Sequence, residues 1–207
     1  TEGIENLRKF HNWIKLNLIK SSCDNINAVS LLDIGVGRGG DIQKWGNTNL
    51  KYVFGLDSDK NSITETELYD GAIKRYNNLR EKMNLPTCLF ENISVTDPDC
   101  LEFLNKKDNN WTYDIVSCQF SFHYFVKEID IVLNLISSKL KKEGLFIGTA
   151  SDGDLIKLKL DKEDITTPIL EIKKKSENEY TYMLKTNQTK NKTYFEVNGV
   201  SNEYFLH

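Results

Sequence analysis

Apolar residues recur along this chain in two rhythms. Leu7, Phe10, Ile14 and Leu18 stand three and four residues apart, the spacing of one helix face. Residues 1–27 therefore read as an N-terminal helical element. From residue 29 the rhythm becomes short apolar runs bounded by polar or glycine-containing segments. Residues 29–34, 51–56, 87–90, 113–118 and 145–149 read as five buried strands. Residues 41–45 and the polar stretch 63–82 are helix-compatible. Ile129, Leu133, Ile136 and Leu140 form another helical stripe, with Gly144 placed to stop it. Strands alternating with helices predict an α/β fold with a mainly parallel sheet covered on both faces. After residue 160 the texture alternates polar and apolar, through Tyr180-Thr181-Tyr182-Met183 and Thr193-Tyr194-Phe195-Glu196-Val197, and Asn198-Gly199 is a turn signal. The chain thus reads as one domain, with residues 28–160 as its core and 161–207 as a small antiparallel insertion after strand five. The triplet Lys173-Lys174-Lys175 reads as a solvated face.

Composition narrows the function. The 207 residues are 39% hydrophobic and 28% charged, with a net charge of -3. A chain with this balance does not coat nucleic acid by bulk charge, so any such contact must be local. The four cysteines never form a C-x-x-C pair and there are three histidines, so no metal site is expected. A disulfide framework is not expected either, which points to a reducing, cytoplasmic setting. No apolar run approaches the ~18 residues of a membrane span, so no membrane partner is expected. Thr1-Glu2-Gly3 carries no initiator Met, and the chain reads as a piece of something longer.

The chemistry concentrates after the first strand. Gly35-Val36-Gly37-Arg38-Gly39-Gly40 follows a strand and precedes a helix, and glycines 35, 37 and 40 satisfy G-x-G-x-x-G. In an open parallel sheet, ligands sit beyond the carboxyl ends of the strands. A nicotinamide dinucleotide is one occupant; a tight turn with a capping acid, binding nothing, is another reading. Asp33 tilts the balance. An acid two residues before the first glycine can receive the ammonium of a methionine-like ligand, whereas it would repel a pyrophosphate. Asp57, closing the second strand, can accept both hydroxyls of a ribose, which either cofactor class offers.

Longer strings carry a resemblance. Leu32-Asp33-Ile34-Gly35-Val36-Gly37-Arg38-Gly39-Gly40-Asp41, running on to Lys44-Trp45, resembles the first motif of mRNA cap guanine-N7 methyltransferases. Ser117-Cys118-Gln119-Phe120-Ser121-Phe122-His123-Tyr124 resembles their C-Q-F-x-x-H-Y string, and Phe10-His11-Asn12-Trp13-Ile14-Lys15 their N-N-W-x-K element. Gly148-Thr149 with Asp152-Gly153-Asp154 looks like the segment after their strand five, and Asn202-Glu203-Tyr204 like their late P-E-[YF] element. The matches run in order from residue 10 to residue 204, and look most like the methyltransferase domain of a capping enzyme from a large DNA virus.

The resemblance implies a class I, Rossmann-like methyltransferase that uses S-adenosylmethionine and leaves S-adenosylhomocysteine. It implies transfer of the methyl group to N7 of the terminal guanosine at a capped RNA 5′ end. Lys15 would reach the methionine carboxylate, Asp33 the ammonium, Gly35 and Gly37 would admit the ligand, and Asp57 would bind the ribose. Gln119 and Tyr124 would line the methionine and sulfonium. For the cap, Glu203 would accept from guanine N1–H and its amino group, and His123 would contact the ring. Arg38, Lys44 and Arg75 would meet the triphosphate, and His11 with Asn12 would stand at the family's paired asparagines. Guanine N7 has a lone pair and no proton, so no acid or base catalyst is expected; His123, Tyr124 and Glu203 come closest to the chemistry. Other readings that stay open are a catalytically silent cap- or RNA-binding module and a methyltransferase for another substrate.

Three departures from the family carry expectations. His11-Asn12 replaces the paired asparagines. Asn92-Ile93-Ser94 stands where the family often has an acid for the adenine amino group, so the Ile93 backbone is expected there, with Asp97 as competitor. Residues 64–71 are an insertion before Arg75-Tyr76. Linked triphosphatase and guanylyltransferase domains and an activating subunit are implied partners, and a viral replication site or virion the implied setting. The polypeptide is further expected to continue past His207 and complete the sheet, unless the strands of 180–205 close it.

Overall fold

A computed structural model describes residues 2–185 and 200–206. The first helix, α1 (Glu2–Ile26), ends where Asn27 takes a left-handed backbone with φ 52°. The Ala28 amide then donates to Cys23 O at 2.9 Å. The buried face of α1 carries Ile4, Ile19 and Cys23, whereas Phe10 is 56% exposed. Phe10 was expected in the apolar stripe; a helix advances about 100° per residue, which turns Phe10 to the side away from Ile19 and Cys23.

Five strands follow: β1 (Ser30–Ile34), β2 (Tyr52–Asp57), β3 (Thr87–Asn92), β4 (Tyr113–Gln119) and β5 (Leu140–Thr149). All pair in parallel, in the order β3-β2-β1-β4-β5. Side chains alternate across the sheet. Leu31, Val53, Ile115 and Ile147 enter one apolar layer with Ile19 and Trp45. Leu32, Phe54, Val116 and Cys118 enter the other with Leu104, Val132 and Leu135. The central β1 is buried throughout, as a strand covered on both faces must be.

The crossovers differ in detail from the sequence reading. Residues 63–82 are not one helix but end α3 (Lys60–Thr64) and supply α4 (Ala72–Arg80), with the insertion between them. The short α2 (Ile42–Trp45) follows the glycine loop. The unanticipated α5 (Cys100–Lys107) buries only Cys100 and Leu104. Helix α6 (Ile129–Lys139) stops before Gly144, because Leu140 already takes extended backbone with φ -88° and ψ 133°. Gly144 instead lies at the irregularity in β5, where the register moves from Tyr113↔Leu140 to Ile115↔Leu145. A Cβ there would come within 2.8 Å of Asp114 O.

The chain divides into two compact units, Ile14–Thr149 and Thr1–Trp13 with Ala150–His207. The second holds α7 (Gly153–Leu160) and a four-stranded antiparallel sheet. Its strands are β6 (Ile165–Thr166), β7 (Leu170–Lys174), β8 (Glu179–Leu184) and β9 (Val200–Tyr204). Leu160, Ile172, Tyr180 and Phe205 form its own core. Met183 pairs with Glu171 and Val200, so β8 belongs to this sheet and does not extend the parallel one. The lysine triplet is a solvated face of ion pairs: Lys173 with Glu171, Lys174 with Asp161 and Glu177, Lys175 with Glu179. The strand expected at 193–197 and the turn at Asn198-Gly199 lie outside the described residues. Among the described residues no helix is long and apolar enough to cross a membrane, and no group of three His, Cys, Asp or Glu side chains is arranged for a metal.

Candidate ligand site at the carboxyl ends of the parallel strands

The glycine loop turns directly off β1. Gly35 and Gly37 have φ of 72° and 53°, backbone that side-chain-bearing residues rarely adopt. The amides of Gly35 and Val36 both donate to Leu56 O at 2.9 Å, anchoring the loop on β2. A Cβ on Gly35 would come within 2.5 Å of Ser121 Oγ, so only glycine allows β1 and the end of β4 to approach this closely. A Cβ on Gly37 would meet nothing within 4 Å; the space in front of it is open.

Two carboxylates flank the loop. Asp57 at the end of β2 accepts from the Gly37 amide at 2.7 Å and from the Asp59 amide at 2.9 Å. Burial raises its pKa, and those two amide bonds oppose the rise. Asp33 in β1 is 3% exposed. Burial first, then the charge of Asp41, push its carboxyl well above the ordinary carboxylate range, while a Ser117 hydrogen bond and Lys15 act against them. A buried carboxyl in that state gains from an arriving cation.

Lysines complete the cluster. Lys15 Nζ lies 2.7 Å from Asp41 Oδ1, and Lys44 Nζ lies 2.8 Å from the same oxygen. Lys44 also donates to Gly40 O at 3.0 Å and is 8% exposed. The expected phosphate contact for Lys44 does not fit this placement: its side chain is buried and its ammonium is held by Asp41 and the Gly40 carbonyl.

The neighbouring strand ends bring the remaining residues. After β3, the Ile93 amide donates to Asp57 O at 3.0 Å and Asn92 Nδ2 to the same oxygen at 2.9 Å, which sets half-buried Ile93 beside the ribose candidate. Asp97 is exposed, and its Oδ1 accepts from the Asp99 amide at 2.9 Å. Gln119 ends β4 with both amide atoms engaged, Nε2 to Ser117 Oγ at 3.1 Å and Oε1 from Thr149 Oγ1 at 2.9 Å. Phe120 then takes φ 55°, a conformation costing an L-residue about 1–2 kcal/mol. This reverses the chain into a 3₁₀ turn, Phe122–Tyr124. There His123 is 3% exposed, Tyr124 is 41% exposed, and their ring centroids are 4.1 Å apart.

At the loop's outer side Arg38 is exposed, with its guanidinium carbon 3.7 Å from the Tyr69 ring centroid. Arg75 is half-buried; burial, and then Arg38, lower its pKa. The other candidates belong to the second unit. Glu203 in β9 is buried and accepts from the Tyr180 hydroxyl at 2.6 Å. His11 is half-buried, its ring centroid 6.3 Å from that of Phe10, and Asn12 is exposed. Sequence reading missed Asp41, Ser117, Ser121, Thr149 and Tyr69. The acid immediately after the double glycine was the one local signal; the others act across long chain separations.

Comparisons with known proteins bear on the family and the fold. The mRNA (guanine-N(7))-methyltransferase domain family matches residues 2–206. A protein of Acanthamoeba polyphaga mimivirus named as an mRNA-capping enzyme is 33% identical over 179 residues, 77% of this chain and 15% of that protein. An Arabidopsis thaliana mRNA cap guanine-N(7) methyltransferase is 33% identical over 162 residues, 76% of this chain and 42% of its own. The chain therefore spans less than half the length of these relatives. A Listeria monocytogenes structure described as an S-adenosylmethionine-dependent methyltransferase shares the fold, with TM-score 0.51 and 17% identity over 96% of this chain and 78% of that one.

Proposed function

The chain belongs to the mRNA (guanine-N(7))-methyltransferase family, and we propose that it transfers a methyl group from S-adenosylmethionine to N7 of the terminal guanosine of the RNA 5′ cap. The observation that carries this reading is the pair Asp33 and Asp57 on either side of an open glycine loop. The residues fit the cofactor. Asp33, whose burial disfavours an unpaired negative charge, suits the methionine ammonium. Asp57, already ordered by two amides, suits the ribose. Lys15, whose ammonium rests on Asp41 but is less enclosed than that of Lys44, serves the methionine carboxylate as a point charge. The Ile93 backbone serves the adenine, and Gln119 and Tyr124 line the sulfonium side. When bound, the cofactor supplies an electrophilic methyl group on sulfur, and S-adenosylhomocysteine is left.

The chain's own task is alignment. Guanine N7 needs no base, so Asp33 and His123 hold and exclude water rather than move a proton. Proximity and orientation can supply roughly 7–11 kcal/mol of barrier reduction. Glu203 accepts from guanine N1–H and its amino group, His123 contacts the ring, and Tyr124 or Tyr204 stacks on it. Arg38 and Arg75 take the triphosphate, a local basic patch on an acidic chain, and His11 and Asn12 contribute at the cap. As its setting we propose a viral capping enzyme with linked triphosphatase and guanylyltransferase domains and an activating subunit, working in the cytoplasm at a replication site or in the virion; a mimivirus protein named as an mRNA-capping enzyme, of which this chain matches 15%, is in keeping with linked domains.

Methyl-labelled S-adenosylmethionine with GpppA-capped RNA, compared with GTP alone, tests the reading. Label recovered as 7-methylguanosine in the cap is the expected result. Cap binding without transfer would make the domain a silent module, and label elsewhere a methyltransferase for another substrate; either refutes the proposal.

A further inference from the structure

The insertion between α3 and α4 is a built loop. Glu65 Oε1 accepts from the amides of Thr66, Glu67 and Leu68 at 2.8, 2.7 and 3.2 Å. Gly71 N donates to Glu65 O at 2.9 Å, closing the loop on its stem. Lys74 from α4 donates to Thr66 O at 2.6 Å and pairs with Asp70 at 2.9 Å. One carboxylate and one lysine thus fix both flanks of the segment that carries Tyr69.

Tyr69 is the point where this loop meets the glycine loop, its ring 3.7 Å from the Arg38 guanidinium carbon. A free arginine side chain is spread over many rotamers, and the helix that carries a second guanidinium, Arg75, starts against the glycine loop, where a Gly39 Cβ would lie 3.4 Å from Ala72 Cα, so that the two charges repel. Both effects work against an ordered pair of phosphate-binding groups. A cation–π contact opposes them, and it uses the face of the guanidinium while the N–H donors lie in its plane. We infer that Tyr69 is a positioning residue for the cap triphosphate: the insertion delivers it to hold Arg38 ready for phosphate beside Arg75. The inference rests on reading Arg38 and Arg75 as the groups that meet the cap phosphates.

Steady-state methyl transfer by the full chain, with GpppA-capped RNA varied at saturating cofactor, tests this across Tyr69→Ala, Tyr69→Leu, Tyr69→Phe and Arg38→Ala. A cation–π contact at a half-exposed site corresponds to roughly a two- to fivefold effect. Tyr69→Ala and Tyr69→Leu are expected to raise the RNA KM by that factor, leaving kcat and S-adenosylhomocysteine affinity unchanged. Tyr69→Phe, which keeps the ring, should match the parent. Arg38→Ala should raise KM and lower the slope of log KM against log salt by about 1, whereas the Tyr69 variants keep the slope because the charge remains. If Arg38→Ala raises KM and neither Tyr69→Ala nor Tyr69→Leu does, the role of Tyr69 is refuted and the phosphate reading stands. If Arg38→Ala leaves KM unchanged, the phosphate reading falls, and the inference with it.

Discussion

Lys15, from α1, and Asp41, from the end of the glycine loop, form an ion pair of 2.7 Å that is almost closed to solvent. It fixes the helix to the loop, and Lys44 shares the same carboxylate oxygen. Removing Asp41 would leave two largely buried ammonium groups without their common counter-charge. Asp41→Ala is expected to destabilise the fold by about 3–5 kcal/mol, read as a lowered urea midpoint. A midpoint equal to the parent's would show that the pair contributes nothing to holding the loop.

Asp33 predicts a conflict between stability and binding. Its carboxyl has an ordinary pKa of 3.8 when unfolded and a raised one when folded. Between those two values the folded state holds more protons, so the contribution of this group to stability falls as pH rises through that window. Asp33→Asn removes the effect. Thermal melts should find the variant more stable than the parent at pH 8, with the two converging toward pH 4, while its affinity for S-adenosylmethionine drops. A variant less stable than the parent at pH 8 would contradict the assignment.

Arg38 and Lys44 stand six residues apart and should behave differently. Arg38→Ala is expected to leave the melting temperature unchanged and to raise the KM for capped RNA. Lys44→Ala should cost about 1–3 kcal/mol of stability, because the Gly40 carbonyl and Asp41 lose a buried donor. Its RNA KM should change no more than its fold does. Parallel melts and kinetics separate the two.

That contrast marks what the sequence carried. The five parallel strands were legible because each is an apolar run with polar or glycine boundaries, and β1, buried on both faces, is the clearest. The loop and its two acids were legible because their chemistry is local. Lys44 was not: whether a lysine beside a glycine loop faces solvent or Asp41 depends on where α1 delivers Lys15, and nothing within a few residues encodes that. Helix α7 was missed because Leu158 and Leu160 alternate with Lys157 and Lys159, a strand-like period. The Asp152 side chain, which accepts from the Leu155 amide at 2.9 Å, caps it as a helix instead. Gly144 looked like a helix stop, but the helix had already ended in extended backbone at Leu140.

Glu203 offers a test in the second unit. It accepts from the Tyr180 hydroxyl, a bond that glutamine can keep through its carbonyl oxygen. Glu203→Gln should therefore fold normally but lose the anionic acceptor for guanine N1–H. Charge-assisted hydrogen bonds contribute about 1.5–3 kcal/mol, so roughly a ten- to hundredfold loss in kcat/KM for capped RNA is expected, with S-adenosylhomocysteine affinity unchanged. Retained kcat/KM would remove Glu203 from the cap site.

The most direct measurement is calorimetry of S-adenosylhomocysteine binding to the parent and to Asp57→Ala. Asp57 is ordered by the Gly37 and Asp59 amides and offers its carboxylate to a ribose. Loss of two charge-assisted hydrogen bonds of about 1.5–3 kcal/mol each predicts at least a hundredfold weaker binding, in a variant whose circular dichroism matches the parent's. Equal affinity in the two proteins would contradict the claim that the carboxyl ends of β1 and β2 form the cofactor site.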